Sequence, residues 1–276
     1  MSQLQSAVVL ITGAAGGFGQ ELTRQLLLKG SRLILTDRPE VDLRSQAKQI
    51  QQTLGPTPGE IVTCLSTDLA TPTGCDDLYQ QTQAINRPID VLINHAGIAL
   101  LGHMVDIPPD RWEQLMQVNL ITPMRLSSRF AADMVARRQG HIVNISSLAG
   151  WIAMPGLTAY AASKFGLRGF SEGLRHEVAP FQVKVTTVYP CFSRTPMLQC
   201  DRFGVSAQST TLPVPLTTDP VRVMARTIRA IERNQAEVCP DAIASSGRLA
   251  KCYIPALPDW ISRQLGLKTP ATTTRE

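Results

Sequence analysis

The feature that most constrains this chain is an alternation. Short apolar, β-branched runs lie at Ala7–Thr12, Arg32–Thr36, Ile61–Ser66, Val91–Asn94, His141–Ser146, Val183–Tyr189 and, more weakly, Glu237–Cys239. Longer amphipathic stretches separate them, at about 17–29, 42–54, 73–85, 110–138, 158–179 and 219–234. The runs are near-continuously apolar, the pattern of parallel strands covered on both faces. Strand, helix, strand repeated this regularly predicts an α/β fold: a doubly wound parallel sheet with helices on both faces. No linker divides residues 1–276, so one domain is expected. Two stretches break the rhythm. Residues 191–217, rich in Ser, Thr and Pro, read as a substrate lid or as disorder, and 240–276 reads as a C-terminal tail.

Composition excludes several classes. At 43% hydrophobic and 18% charged, the chain has the makings of a core and is not a disordered polymer. The net charge of +5 comes from dispersed Lys and Arg, with no basic run interleaved with aromatics, so no nucleic-acid partner is expected. The cysteines (64, 75, 191, 200, 239 and 252) show no CxxC pair and no nearby His, so no metal site is expected. Isolated thiols, no signal-peptide pattern and no apolar run near 20 residues make a soluble cytoplasmic protein without an integral membrane segment the expectation.

The first apolar run enters Thr12-Gly13-Ala14-Ala15-Gly16-Gly17-Phe18-Gly19, and a helix-like stretch follows at once. Strand, glycine turn and helix N-terminus are the context of a Rossmann-type dinucleotide site: the backbone approaches the pyrophosphate, and the helix amides favour its charge. A plain tight loop is the competing reading. Asp37 stands 18 positions after Gly19, where an acidic residue accepts hydrogen bonds from the adenosine ribose. A carboxylate there repels a 2′-phosphate and favours NAD. Arg38 beside it keeps NADP open. Asp37 as a mere strand-ending turn residue is the alternative.

Tyr160 and Lys164 sit four apart on a helix-like stretch, hence on one face. An ammonium beside a phenol is expected to pull its pKa from about 10 toward neutrality, which makes an acid–base catalyst. A solvated helix face explains the same spacing. The run before them ends in Ser146-Ser147, at the carboxyl end of a strand where parallel-sheet sites lie. One hydroxyl there can polarise a carbonyl, or simply cap a turn.

Together, the glycine turn, Asn94-His95-Ala96-Gly97, Asn119, Ser147, Tyr160 and Lys164 resemble the short-chain dehydrogenase/reductase family, in its short single-domain subgroup, over about Ala7–Thr195. The resemblance implies roles by position. Gly13, Gly17, Phe18 and Gly19 form the pyrophosphate turn. Asp68 and Leu69 lie near the adenine, while Asn94, Ala96 and Gly97 support the sheet and line the cofactor. Ser147, Tyr160, Lys164 and Asn119 are catalytic: Ser147 polarises the oxygen, Tyr160 is the acid/base, Lys164 binds the nicotinamide ribose and Asn119 serves a proton relay. Pro190 and Thr195 meet the nicotinamide end. Two residues depart from the family pattern, His95 in place of a second Asn and Cys191 in place of the Gly after Pro190.

The resemblance implies hydride transfer between NAD, or NADP, and a secondary alcohol or ketone. The apolar stretches Leu148–Met154 and Ile98–Met104 carry no Arg or Lys clamp, so a neutral, sterol-, retinoid- or lipid-like substrate is expected. A homodimer or homotetramer is expected through the long stretches 110–138 and 158–179. Trp112, Leu115, Met116, Leu167, Phe170 and Leu174 suit such a contact, and equally suit burial against the sheet. The apolar tail Tyr253–Ile261 can pack on the lid, a partner subunit or a membrane surface. An NADPH-dependent carbonyl reductase and a non-catalytic dinucleotide-binding regulator are the competing functions. The retained Ser, Tyr, Lys and Asn favour an enzyme.

Overall fold

The computed structural model describes residues 2–204 and 217–254. Each apolar run is a strand: β1 (Val8–Thr12), β2 (Arg32–Asp37), β3 (Glu60–Ser66), β4 (Val91–Asn94), β6 (Gly140–Ile145), β7 (Val183–Val188) and β9 (Glu237–Val238). They pair in parallel in the order β3-β2-β1-β4-β6-β7-β9. Helices α1 (Gly17–Leu28), α2 (Leu43–Leu54), α3 (Pro72–Ala84), α4 (Pro109–Met116), α5 (Thr122–Ala136), α6 (Thr158–Val178) and α7 (Pro220–Glu232) fill the amphipathic stretches. Strand order reverses direction between β1 and β4, and there the carboxyl ends of the strands open the crevice in which such sheets bind ligands.

Strand alternation divides the core in two. Val9 and Ile11 of β1 point to a layer with Leu22, Leu26 and Leu27 of α1, Ile50 of α2 and Ile228 of α7. Val8 and Leu10 point the other way, to Leu78 of α3, Phe130 of α5 and Leu174 of α6. Successive strand side chains alternate faces, so a strand with helices on both sides is apolar throughout. Helix starts follow their caps: Asp42 accepts from Ser45 N–H, Thr71 from Gly74 N–H, and Asp219 from Val221 N–H.

Three departures from the sequence expectation matter. The stretch 110–138 is not one helix: α4 and α5 are joined by a π-helical turn, Gln117–Ile121, with Asn119 wholly buried at its centre. A π turn inserts one residue and redirects a side chain, a device common at functional sites. The rhythm also continues after Pro240, where Asp241 caps a further helix, α8 (Ala242–Tyr253). Finally, Leu100–Leu101 (β5) pairs in parallel with Asp201–Arg202 (β8), so the described part of the 191–217 insert is strapped to the segment after β4. Residues 205–216, and the tail from 255, lie outside the described residues. No described helix is long and apolar enough to cross a membrane.

Candidate active site

The glycine turn leaves β1 at Thr12 with Gly13 at φ +68°, left-handed backbone that a side chain disfavours. A Cβ on Gly13 would also stand 2.8 Å from the Ala96 Cα, and one on Gly19 2.3 Å from the Gly13 carbonyl. Glycine is therefore what lets the turn pack on the segment after β4. Unlike α2, α3, α7 and α8, helix α1 starts without a side-chain cap, and its first turn holds no acidic residue. Free helical amides beside a cradle of glycines suit a pyrophosphate. The residues present fit a dinucleotide.

Side chains the sequence reading passed over hold the turn. The Thr12 hydroxyl accepts the N–H groups of both His95 and Ala96, each at 3.0 Å. His95 Nδ1 donates to the Gly13 carbonyl at 3.0 Å, and burial keeps the ring neutral by lowering its pKa. The signal for Thr12 was available: a hydroxyl ending the strand immediately before the glycines. Asn94 points into the sheet, its amide donating to Ser127 and Asn144, and Asn144 donates on to Ser171. Half-buried Thr195 rests on Gly17, with its Cγ2 2.8 Å from where a Cβ would stand.

At the end of β2, Asp37 Oδ2 accepts the Ala15 N–H at 2.8 Å and Oδ1 accepts the Arg38 N–H at 2.9 Å. A cavity of about 350 Å³ opens beside it, and its charged lining residues are Asp37, Glu40, Asp42 and Arg44. Arg38 is exposed. Asp68 is exposed and accepts the Ala70 N–H, while buried Leu69 offers its carbonyl to Thr122. Phe18 is half-buried, its ring tilted 6.2 Å from that of His95.

The chemical end gathers at β6 and α6. The two serines separate by role. Ser146 is buried and donates to the Lys164 carbonyl at 3.0 Å, pinning β6 to α6. Ser147 accepts the Ala149 N–H at 3.1 Å and faces the Tyr160 phenol, whose pKa it lowers. Lys164 is 5% exposed, its Nζ donates to the Ile145 carbonyl at 3.1 Å, and it lies 5.6 Å from the Tyr160 ring centre. Desolvation lowers the lysine pKa to about 8. Asn119 bonds Ile98 in both directions, its Oδ1 accepting the N–H at 2.8 Å and its Nδ2 donating to the carbonyl at 2.9 Å. Asn119 Oδ1 and Lys164 Nζ converge on Gly97, at 3.1 and 3.7 Å from where a Cβ would stand.

One expectation is corrected. The tyrosine pKa does not move toward neutrality: burial outweighs every other influence and raises it to about 12. Desolvation is the largest influence, and the Ser147 hydrogen bond, which lowers the pKa, does not offset it. Tyr160 packs against an apolar wall of Ile98, Leu100, Trp112, Leu115 and Phe203. Of the helix positions suited to a subunit contact, Leu115, Leu167 and Leu174 are buried within the chain, while Trp112, Met116 and Phe170 are half-buried. Pro190 is buried, its carbonyl accepting the Leu148 N–H, and half-buried Cys191 has its thiol raised to about 11 by burial. No group of three or more His, Cys, Asp or Glu among the described residues is placed to hold a metal ion.

The family model described as short chain dehydrogenase matches residues 7–203. The dehydrogenase/reductase SDR family member 7B of Bos taurus is 32% identical over 262 residues, covering 92% of this chain and 75% of its own length. The 3-ketodihydrosphingosine reductase of Bos taurus is 34% identical over 194 residues, covering 70% of this chain and 58% of that protein. This chain thus spans little more than half of that reductase. A metagenomic short-chain oxidoreductase solved in complex with NADP superposes with a TM-score of 0.69, at 29% identity over 86% of this chain and 98% of that one.

Proposed function

We propose that this chain, which belongs to the short-chain dehydrogenase family, reduces neutral, apolar ketones with a nicotinamide dinucleotide. The coarse activity is oxidoreductase, and the cofactor is NAD or NADP. Direction and substrate class are the proposal. The observation that carries it is the placing of the Tyr160 phenol between the Ser147 hydroxyl and an apolar wall, where burial holds its pKa up. At neutral pH it is a proton donor, the form that carbonyl reduction needs. Relatives named as reductases, of 3-ketodihydrosphingosine and 3-dehydrosphinganine, support the same direction.

In this reading each group has a part. Ser147 hydrogen-bonds the substrate oxygen and favours negative charge on it. Tyr160 gives its proton to that oxygen as the charge develops, and Lys164 restrains the phenolate charge left behind. When bound, the nicotinamide supplies the hydride. Gly13, Gly17 and Gly19 with the open α1 amides would hold its pyrophosphate, and Lys164 its nearer ribose. Ile98, Leu100, Trp112 and Phe203 exclude water and give the substrate an apolar seat.

NAD is the preferred dinucleotide in this reading, because three acidic residues and one Arg line the cavity at the end of β2. Arg44 is the cation that would serve a 2′-phosphate instead, and it keeps an NADPH-dependent reductase as the second reading. Titrating the fluorescence of NADH and NADPH against the purified protein separates the two. NADH is expected to bind at least about tenfold tighter, a difference of roughly 1.4 kcal/mol. Quenching by NADPH alone transfers the assignment to the second reading. Binding without turnover of any hydrophobic ketone supports the non-catalytic regulator.

A further inference from the structure

Helix α6 carries more than the Tyr160–Lys164 pair on one face. Four residues on from Lys164 is Arg168, so Tyr160, Lys164 and Arg168 form one stripe along the helix. Arg168 is half-buried, and its guanidinium carbon lies 3.2 Å from the centre of the Trp151 ring. Trp151 ends the 3-10 turn Leu148–Gly150, whose start Ser147 caps. The near side of that turn is already held to α6, through Ser146 Oγ on the Lys164 carbonyl and through Gly150, where a Cβ would stand 2.8 Å from the same oxygen. Arg168 holds its far end.

Other elements lock the ring in place. The Tyr189 ring meets it edge-on, with centres 5.9 Å apart. Arg248 of α8 lies over it at 4.6 Å and pairs with Glu237 at 2.7 Å, and Glu237 also accepts the Tyr189 hydroxyl at 2.9 Å. Helix α8 backs the turn as well: a Cβ on Gly247 would stand 3.1 Å from Leu148. Trp151 Nε1 and Arg168 Nε make no hydrogen bond among the described atoms, so the contact is a guanidinium plane on an aromatic face.

We propose that Arg168 is a positioning residue for the reaction: stacked on Trp151, it ties the turn bearing Ser147 to the helix bearing Tyr160 and Lys164, and so sets the spacing between the Ser147 hydroxyl and the Tyr160 phenol. The proposal rests on the reading of Ser147 and Tyr160 as the reacting pair. Ser147 needs such support. Its own anchors are the Ala149 N–H at 3.1 Å and a long bond to the Pro190 carbonyl at 3.5 Å. Small displacements of a reacting group are costly in rate.

The test is Arg168→Met, compared with Trp151→Phe, which keeps a ring for the guanidinium. Arg168→Met is expected to lower kcat about tenfold while the dinucleotide Kd and the ketone KM stay within about twofold. With a hydrophobic secondary alcohol, whose oxidation needs the phenolate, the rising limb of its kcat profile moves to higher pH, because Ser147 lowers the phenol pKa and a loosened Ser147 does so less. Lys164 and the Cys200 thiol, which also face the phenol, are unchanged in the variant. Trp151→Phe keeps the parent profile. Where Arg168→Met does not fold, Trp151→Leu removes the ring, leaves the charge and is expected to give the same loss. A parent-like kcat and profile in the variant without the stack overturns the proposal, as does an equal loss in Trp151→Phe. Tyr160→Phe is assayed alongside. If it keeps turnover, the reading of the site fails. If it loses turnover while Arg168→Met does not, only the positioning role fails.

Discussion

Single residues decide both the chemistry and its pH range. Tyrosine and lysine were legible by spacing, because a four-residue step on a helix places two side chains together whatever the fold around them, whereas Ser147 was told from Ser146 only through the family resemblance. The phenol pKa was not legible, since desolvation belongs to the tertiary surroundings of Tyr160. Lys164 offers a direct check on that burial. Its folded pKa of about 8 lies below the ordinary 10.5, so between those values the unfolded chain holds the extra proton. Stability from this group therefore rises with pH across that window and is absent below it. Lys164→Met lacks this gain, so the thermal midpoint of the variant relative to the parent is expected to fall as pH rises from about 8 to about 10.5. A constant difference contradicts the buried-lysine assignment. His95 belongs to the same scale: the family resemblance marked it as a departure, and only the structure shows its ring on the Gly13 carbonyl. His95→Ala removes that bond, worth about 1 kcal/mol, and is expected to weaken dinucleotide binding about fivefold with kcat nearly unchanged. Equilibrium titration and steady-state rates measure the two separately.

Among elements, the sheet and most helices were readable, because every central strand is an apolar run and several helices begin at Asp or Thr caps. What escaped was whatever leaves no local trace. The π turn uses Gln, Val, Asn, Leu and Ile, all compatible with an ordinary helix. β5 and β8 are two residues each and find one another across about a hundred positions. Helix α8 has Ser, Ser and Gly in its interior and buries only Ala244 fully, so no apolar stripe announces it. The π turn carries a prediction. Asn119 satisfies both backbone groups of half-buried Ile98, so Asn119→Ala leaves two part-buried polar groups unpaired and is expected to cost about 1–2 kcal/mol in urea unfolding. Turnover falls with it, because Ile98 lines the wall against Tyr160. Unchanged stability contradicts this role for the turn.

At the scale of the whole molecule, two ends of one crevice must work together. The glycine turn, Thr12 and His95 shape a dinucleotide seat on β1 and β4, while β6 and α6 set Ser147, Tyr160 and Lys164 at the other end of the same row of strand termini. The two ends meet at Gly97, beside both Asn119 and Lys164. The division of labour makes binding and chemistry separable, and Tyr160→Phe separates them most directly. Dinucleotide affinity by fluorescence and ketone-dependent cofactor oxidation are measured on one preparation of parent and variant. The expected result is a Kd within about twofold of the parent, with turnover lower by about 10²–10⁴, the range of a lost general acid. A variant that binds the dinucleotide and still turns over a hydrophobic ketone at the parent rate contradicts the assignment of Tyr160 as the proton donor.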